Sequence, residues 1–559
     1  MTYKNLATLI LFLLFLVKSS YPCTNFLITK GASVDGSTMI TYTADNHDFY
    51  GELYFWPAKD HPDGSMIDIY DCDTEKYLGK IKQVSHTFSV VGLMNEYQVS
   101  IGETTYGGRH ELKDSTGMID YGSMMDIALQ RAKSAREAIR VMGDLVKEYG
   151  YYSEGESFSI ADPNEVWIME MIGKGTKMVY EKRGTDSILV NANKGAVWVA
   201  RRIPDGYICG HANQARITTF PLDDPENCIY SPDVISFARK QGYFNGKDAA
   251  FSFSDTYAPL DFGGARWCEA RVWAAFNRVN GDMGKYLDYA MGENLENRMP
   301  LWIKPDHKLS VSDVMDLMRD YFQDTPMDMT KDWGAGPFKC IVRWRPLSWE
   351  VDGVTYFNER ATSTQQTGFS FVAQMRSWLP DPVGGINWFG VDDTYSTVYS
   401  PMYCGITDVP ESFAVGNGSM MEFSDDAAFW VFNQVSNFAY TRYSLMIPDI
   451  QKKQKELENY YTTMVTSVDK TAAELYKKDK NASRAFLTEF SKSAGNHTVS
   501  EWKNLYQYLF TRYMDGNMKE KVEGKQKPKF EWPGYGEEWY RDLIEKTGDR
   551  FRYPDETSH

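Results

Sequence analysis

Two short apolar runs, residues 26–28 and 38–43, flank the dipeptide Asp35-Gly36. Asp-Gly favours the left-handed backbone of a tight hairpin, so the two runs are expected to pair antiparallel. With the turn centred on Asp35 and Gly36, paired residues have numbers that sum to about 71. That register sets Cys23 opposite the region of Asp48 and brings Asp45, Asn46, His47 and Asp48 near its thiol. Few other features of the chain constrain its folding so directly.

Cys23 also follows what reads as an export signal. Lys4 precedes a largely apolar run, residues 6–17, and Lys18-Ser19-Ser20-Tyr21-Pro22 breaks it. Such a run is too short to cross a bilayer as a helix. Residues 1–22 are therefore set aside from the fold as a signal peptide or propeptide, and the protein is expected in the periplasm or outside the cell. Pro22 is a poor residue just before a signal-peptidase cut, so an earlier cut with self-trimming is a second route. Acylation of Cys23 as a lipoprotein is a third. If processing ends at Pro22, Cys23 carries a thiol and a free α-amine together. An amine with a pKa of about 7.7–8.0 can take the thiol proton near neutrality. An ordinary buried cysteine and a Cys-His pair with His47 and Asp48 are the competing readings.

The formal net charge of −16 argues against nucleic acid, whose phosphates would be repelled. An apolar fraction of 43% and an aromatic fraction of 14% are enough to fill a large, β-rich core. None of the seven cysteines lies in a C-x-x-C pair, which disfavours a zinc cluster. Cys23 is the natural odd thiol; the other six leave open up to three disulfides or buried thiols. The P-loop, nucleophile-elbow and zincin motifs are absent. Asp68, Asp71, Asp73 and Glu75 lack the spacing of a calcium loop and read as a solvated hairpin turn. No cofactor and no metal is expected. Asn417, Asn481 and Asn496 open glycosylation sequons, which matter only in a eukaryotic secretory route.

Further strands are expected near residues 87–93, 97–102, 157–160, 166–172, 178 and 196–202. Between them, residues 121–133 and 134–149 read as helices, the second opened by the capping box Ser134-Ala135-Arg136-Glu137 and closed by Gly150. Strands, a helix pair and strands again is an α+β pattern. Ser310 and Asp313 cap a helix through Phe322, and residues 330–404 add strands. From residue 424 the chain reads as helical, with an amphipathic helix over 450–480 whose apolar face carries Leu457, Tyr460, Met464 and Val468. The division expected is 1–22, a catalytic unit over 23–423 and a helical region over 424–559 packed on it.

The run Cys23-Thr24-Asn25-Phe26-Leu27-Ile28, followed by Ala32-Ser33-Val34-Asp35-Gly36-Ser37-Thr38-Met39-Ile40, resembles the opening of the N-terminal-nucleophile (Ntn) cysteine dipeptidases, the family that also holds the secernins. Later runs are similar too: Gly92-Leu93-Met94-Asn95-Glu96, Val197-Trp198-Val199-Ala200, Ile203-Pro204-Asp205-Gly206 and His211-Ala212-Asn213-Gln214. The resemblance implies the four-layer αββα fold and dipeptide hydrolysis through a thioester on Cys23. By position, it implies that Asp45 contacts the nucleophile's amine, that Asn213 donates to the oxyanion and that Arg271 is the functional arginine, with Arg266 nearly as well placed. Asn95 and Thr104 flank another possible oxyanion donor. One departure stands out. Where many relatives have Arg-Asn-x-Asp, this chain has Tyr42-Thr43-Ala44-Asp45, so a tyrosine replaces the arginine expected beside the thiolate. The partner expected is a dipeptide, with no stable membrane span and with homo-oligomerisation left open. The alternatives are an acylase acting on penicillin- or bile-salt-type amides, and a secernin-like or lipid-anchored binding protein.

Overall fold

The computed structural model describes residues 23–184 and 186–554; residues 1–22, expected to be a signal peptide or propeptide, lie outside the described residues. Strands and helices follow one another in the α+β order expected. Two antiparallel sheets form the body. The seven-stranded sheet runs, in spatial order, Trp302–Ile303, Ile208–His211, Asn25–Ile28, Thr38–Asp45, Thr367–Met375, Ile386–Val391 and Ser400–Tyr403. The eight-stranded sheet runs Cys228–Tyr230, Ala196–Arg202, Val166–Gly173, Gly155–Ala161, Ser100–Gly107, Met94–Asn95, Val90–Val91 and Phe55–Trp56.

The strand Asn25–Ile28 is buried on both faces. Towards the other sheet, the Asn25 amide oxygen accepts from Ser159 Oγ and the Glu103 N–H, and its nitrogen donates to the Glu103 carbonyl, each at 3.1 Å. On the opposite face Phe26 packs beside Gly210 and Val272, the latter on the helix Ala270–Val279. A central strand sandwiched in this way has no solvent face, which is why its residues do not alternate between apolar and polar.

The pairing of Asn25–Ile28 with Thr38–Asp45 corrects the expected register. Leu27 pairs with Ile40 and Thr24 bridges Thr43, so Cys23 comes opposite Ala44 rather than Asp48. The cause lies in the connecting loop. Residues Lys30–Ala32 form a helical turn, and the Asp35 carboxylate accepts from the Ser37 N–H (3.0 Å), Ser33 Oγ (2.7 Å) and Ser37 Oγ (2.6 Å). Asp35 and Gly36 (φ 80°) do turn the chain, but near one end of a longer loop rather than at its centre.

The helices Tyr121–Leu129 and Ala135–Tyr149 pack on the eight-stranded sheet. Ser134 Oγ accepts from the Glu137 N–H (3.3 Å), but the Glu137 carboxylate accepts from the Lys133 N–H (2.7 Å) instead of closing the box on Ser134. Gly143 admits the Trp198 indole, which a Cβ there would meet at 2.8 Å. The box of Ser310 and Asp313 is complete, yet its helix, Val311–Leu317, stops short of Phe322, whose φ of 65° no α-helix accommodates. Each of the seven cysteines is an unpaired thiol, which removes the disulfide alternative. Among the described residues no helix is long and apolar enough to cross a membrane.

Beyond residue 424 lie the helices Ala428–Tyr440, Tyr443–Lys478 and Lys480–Tyr513; the last two pair and pack on the strand Ser400–Tyr403. The buried stripe of Tyr443–Lys478 includes Leu457, Tyr461, Val465, Val468 and Ala472. Tyr460 is exposed and Met464 half-buried, so the true face is rotated by one residue from the expected one, and the helix begins at Tyr443 rather than 450. This helix is tied to the sheet by Asp469, which pairs with buried Arg376 and accepts from Tyr403 Oη at 2.7 Å. Asp469→Ala leaves the Arg376 charge buried without its partner and is expected to cost about 3 kcal/mol. A lower urea midpoint checks this; an unmoved midpoint refutes it.

Candidate functional site

Cys23 stands immediately ahead of the central strand and is 1% exposed. Arg271, on the helix Ala270–Val279, donates from Nη1 to the Cys23 carbonyl (2.6 Å) and to Thr24 Oγ1 (2.8 Å). Its Nη2 donates to the Ala212 carbonyl (3.1 Å) and Asn213 Oδ1 (2.8 Å), and its Nε to the Trp267 carbonyl (2.7 Å). Asn213 adopts a left-handed φ of 61° and donates from Nδ2 to the Thr105 carbonyl (2.7 Å). Asp45 ends the strand Thr38–Asp45 and is fully buried, accepting from Arg360 Nη2 (2.6 Å), Thr43 Oγ1 (2.8 Å) and Thr367 Oγ1 (2.6 Å). Its backbone N–H is turned to the Cys23 thiol. Cys23, Asp45, Asn213 and Arg271, drawn from four separate segments, thus gather in one cluster.

Sequence reading missed three members of this cluster. Glu103 Oε1 lies 3.8 Å from Cys23 Sγ and accepts from Tyr42 Oη at 2.7 Å; Tyr42 Oη is itself 3.9 Å from Sγ. Glu156, on the neighbouring strand, brings a second buried carboxyl close to that of Glu103. Arg360 is the third, and it is 315 residues from the Asp45 that it neutralises. The signal for Glu103 was available: Ile101, Glu103 and Thr105 alternate along Ser100–Gly107, a strand expected to end at 102. Arg360 carries no such signal.

Other expected residues fall elsewhere. His47 and Asp48 are exposed beyond the strand end, and His47 faces Arg345, so the Cys-His pairing is not formed. Asn95 donates to the Leu129 and Ala132 carbonyls and accepts from the N–H groups of Tyr97 and Val99, which makes it a structural clamp. Thr104 is 2.8 Å from His211 Nδ1, and Arg266 pairs with Glu359. Asp71 and Asp73, with Cys72, crowd one turn beyond the strand Met66–Tyr70, where Thr74 and Tyr121 hydroxyls hydrogen-bond the two carboxylates.

Burial, reinforced by the Glu103 and Asp45 carboxylates, pushes the Cys23 thiol well above its ordinary pKa. The thiol is therefore protonated at rest and would need a base in order to react. Burial raises Glu103 to about 7, although the Tyr42 hydroxyl and Glu156 hold it down, and it drives Glu156 well up, with the nearby Glu103 charge adding to that rise. Burial and Arg360 lower Arg271 to about 10, which leaves it charged at neutral pH. Burial and Arg216 lower His211 to about 3, which keeps it neutral. Tyr42 supplies no positive charge, but Arg271 and Arg360 bring two guanidinium groups to the same cluster.

The model of peptidase family C69 matches residues 22–456, opening one residue before Cys23. Three curated proteins are similar over most of their length. A "Probable dipeptidase" of Latilactobacillus sakei is 24% identical, covering 86% of this chain and 92% of its own. A "Probable dipeptidase" of Salmonella dublin is 24% identical, covering 69% and 81%. "Dipeptidase A" of Lactobacillus helveticus is 23% identical, covering 75% and 82%.

The acid pair has a pH signature. In the chain with Pro22 still joined to Cys23, Glu103 stays protonated in the fold up to about 7, whereas its ordinary value is 4.5. The fold holds the extra proton between those values, so stability falls as pH rises through that window. Glu103→Gln, which mimics the protonated form, is expected to flatten the fall, gaining about 1–3 kcal/mol on wild type between its ends. Urea midpoints across the window check this, and parallel profiles refute it.

Proposed function

Because this chain belongs to peptidase family C69, we propose that it is an exported cysteine dipeptidase with the thiol of Cys23 as nucleophile. One observation carries the reading: the family match opens at residue 22, beside the one cysteine whose thiol meets Glu103 and Tyr42 and whose carbonyl is held by Arg271. The dipeptidase names of the relatives support the substrate class. The apolar run 6–17 after Lys4 supports export. The two facing sheets, with helices packed on each, support the four-layer αββα arrangement of Ntn hydrolases.

Removal of residues 1–22 frees the α-amine of Cys23. The amine takes the thiol proton, and the Asp45 and Glu103 carboxylates stabilise the resulting ammonium. Sγ attacks the scissile carbonyl carbon, a C–S bond forms and the negative charge passes to the carbonyl oxygen. Asn213, held by Arg271 at its Oδ1 and by the Thr105 carbonyl through one amide N–H, offers the second N–H of that amide to the oxygen. The ammonium then returns the proton to the leaving nitrogen, the C–N bond breaks and the first residue remains as a thioester. Water, deprotonated by the same amine, attacks the thioester and releases the acid and the thiol. Arg271 acts as a positioning residue for both the nucleophile and the oxyanion donor.

Intact-mass measurement is expected to find a mature chain that starts at Cys23 with a free amine and hydrolyses members of a dipeptide panel. Cys23→Ala abolishes turnover with the fold intact, and Cys23→Ser leaves at most slow turnover. Asn213→Ala lowers kcat by roughly 10²–10³-fold. Residual activity in Cys23→Ala, or a fully active enzyme with a blocked amine, refutes the mechanism.

A further inference from the structure

A cleft beside the cluster is lined by Arg343, Arg345, Glu359, Arg360, Thr364 and Gln366. Two of its three arginines are neutralised, Arg343 by Asp332 and Arg360 by Asp45, and Glu359 is taken by Arg266. Arg345 differs. It is exposed, and among the described residues no carboxylate lies within ion-pair reach of it. The acceptor of its guanidinium is the neutral amide oxygen of Gln366, met by Nε at 2.9 Å and also by Nη2. Gln366 in turn donates from Nε2 to the Asp45 carbonyl (3.2 Å), and the Asp45 N–H faces the Cys23 thiol. Arg345 is therefore held, through one side chain and one residue, at a fixed place beside the nucleophile.

The surrounding charge favours an anion there. Partial burial of the guanidinium and the repulsion of Arg360, opposed by the Asp45 carboxylate, lower Arg345 to about 10, leaving it charged at neutral pH. Arg271 is likewise bonded to carbonyl oxygens, a hydroxyl and an amide, with no carboxylate among those contacts. Three guanidinium groups thus surround Asp45, while the acidic pair Glu103 and Glu156 approaches Cys23 from the other sheet. A zwitterion of one peptide bond matches that polarity, since its carboxylate lies roughly one residue, about 3.6 Å, beyond the scissile carbon.

We propose that Arg345 binds the free C-terminal carboxylate of the substrate and so restricts the enzyme to peptides that end one residue after the scissile bond. This rests on the dipeptidase reading above. A planar guanidinium fits a carboxylate through two parallel N–H···O bonds, and Gln366 presets its plane. A longer peptide would place a neutral amide against Arg345 in the carboxylate's place.

The test uses the processed protein, the dipeptide that it turns over fastest in a panel, and the C-terminal carboxamide of that dipeptide. Wild type is expected to prefer the free acid. Arg345→Gln is expected to raise KM for the free acid by roughly 10- to 100-fold with a much smaller change in kcat, and to bring the acid-to-amide ratio of kcat/KM close to one. Arg345→Lys, which keeps the charge but loses the fork, is expected to recover part of the preference. A purely structural role would lower activity on acid and amide together and leave their ratio unmoved. An unmoved ratio in Arg345→Gln overturns the assignment while the dipeptidase reading stands; a wild-type protein that hydrolyses no dipeptide overturns both.

Discussion

Arg271 is the buried charge on which the arrangement of this molecule depends. It is fully enclosed, and its donors go to oxygens of Cys23, Thr24, Ala212, Asn213 and Trp267. Burying a guanidinium without a carboxylate is costly unless nearly every N–H is satisfied. Here five contacts do so, and each comes from a segment that must be in place first: the head of the central strand, the residues that follow its neighbour Ile208–His211, and the preceding turn of Arg271's own helix. One side chain therefore makes the geometry at Cys23 conditional on correct assembly of sheet and helix together.

Around that anchor the charges divide by element. The seven-stranded sheet brings Asp45 with its partner Arg360, and the eight-stranded sheet brings the neighbouring buried carboxyls of Glu103 and Glu156. The Asn25 amide, bonded to both backbone groups of Glu103, fixes the distance between the two sheets where the thiol lies. Gly102 serves the same approach: a Cβ there would come within 2.8 Å of the Asn25 side chain and 3.2 Å of Tyr42. Tyr42 suits this setting. A hydroxyl donates to Glu103 without adding a third buried cation to a region that already holds Arg271 and Arg360.

What could be read from the chain, and what could not, follows the range of the physics involved. The helices Tyr121–Leu129 and Ala135–Tyr149 and the strand Ala196–Arg202 are specified by local periodicity and caps, and they lie where expected. Asp45 was found because it is close to Cys23 along the chain, even though the assumed register was wrong by four residues. The connecting loop, with its helical turn at Lys30–Ala32 and the Asp35 carboxylate folded onto Ser33 and Ser37, decides that register, and turn propensity does not report it. Arg360 and Glu156 were invisible because their meaning arises only after distant segments meet. The buried face of the helix Tyr443–Lys478 was read one residue off because Tyr460 and Tyr461 are equally apolar, and only packing chooses between them.

The span of the family match and the span of the folded unit are different. The match ends at residue 456, inside the helix Tyr443–Lys478. Just beyond that point the same helix supplies Asp469 to Arg376, and its successor covers the strand Ser400–Tyr403 with Ser491 and Thr498, which bond Tyr403 and Ser400. A chain trimmed to the matched segment would expose a sheet edge and a stranded guanidinium, so the family match and the cohesive unit have different boundaries. The helices beyond residue 456 are thus a structural dependency of the matched part, and any change to them must leave another cover for that edge.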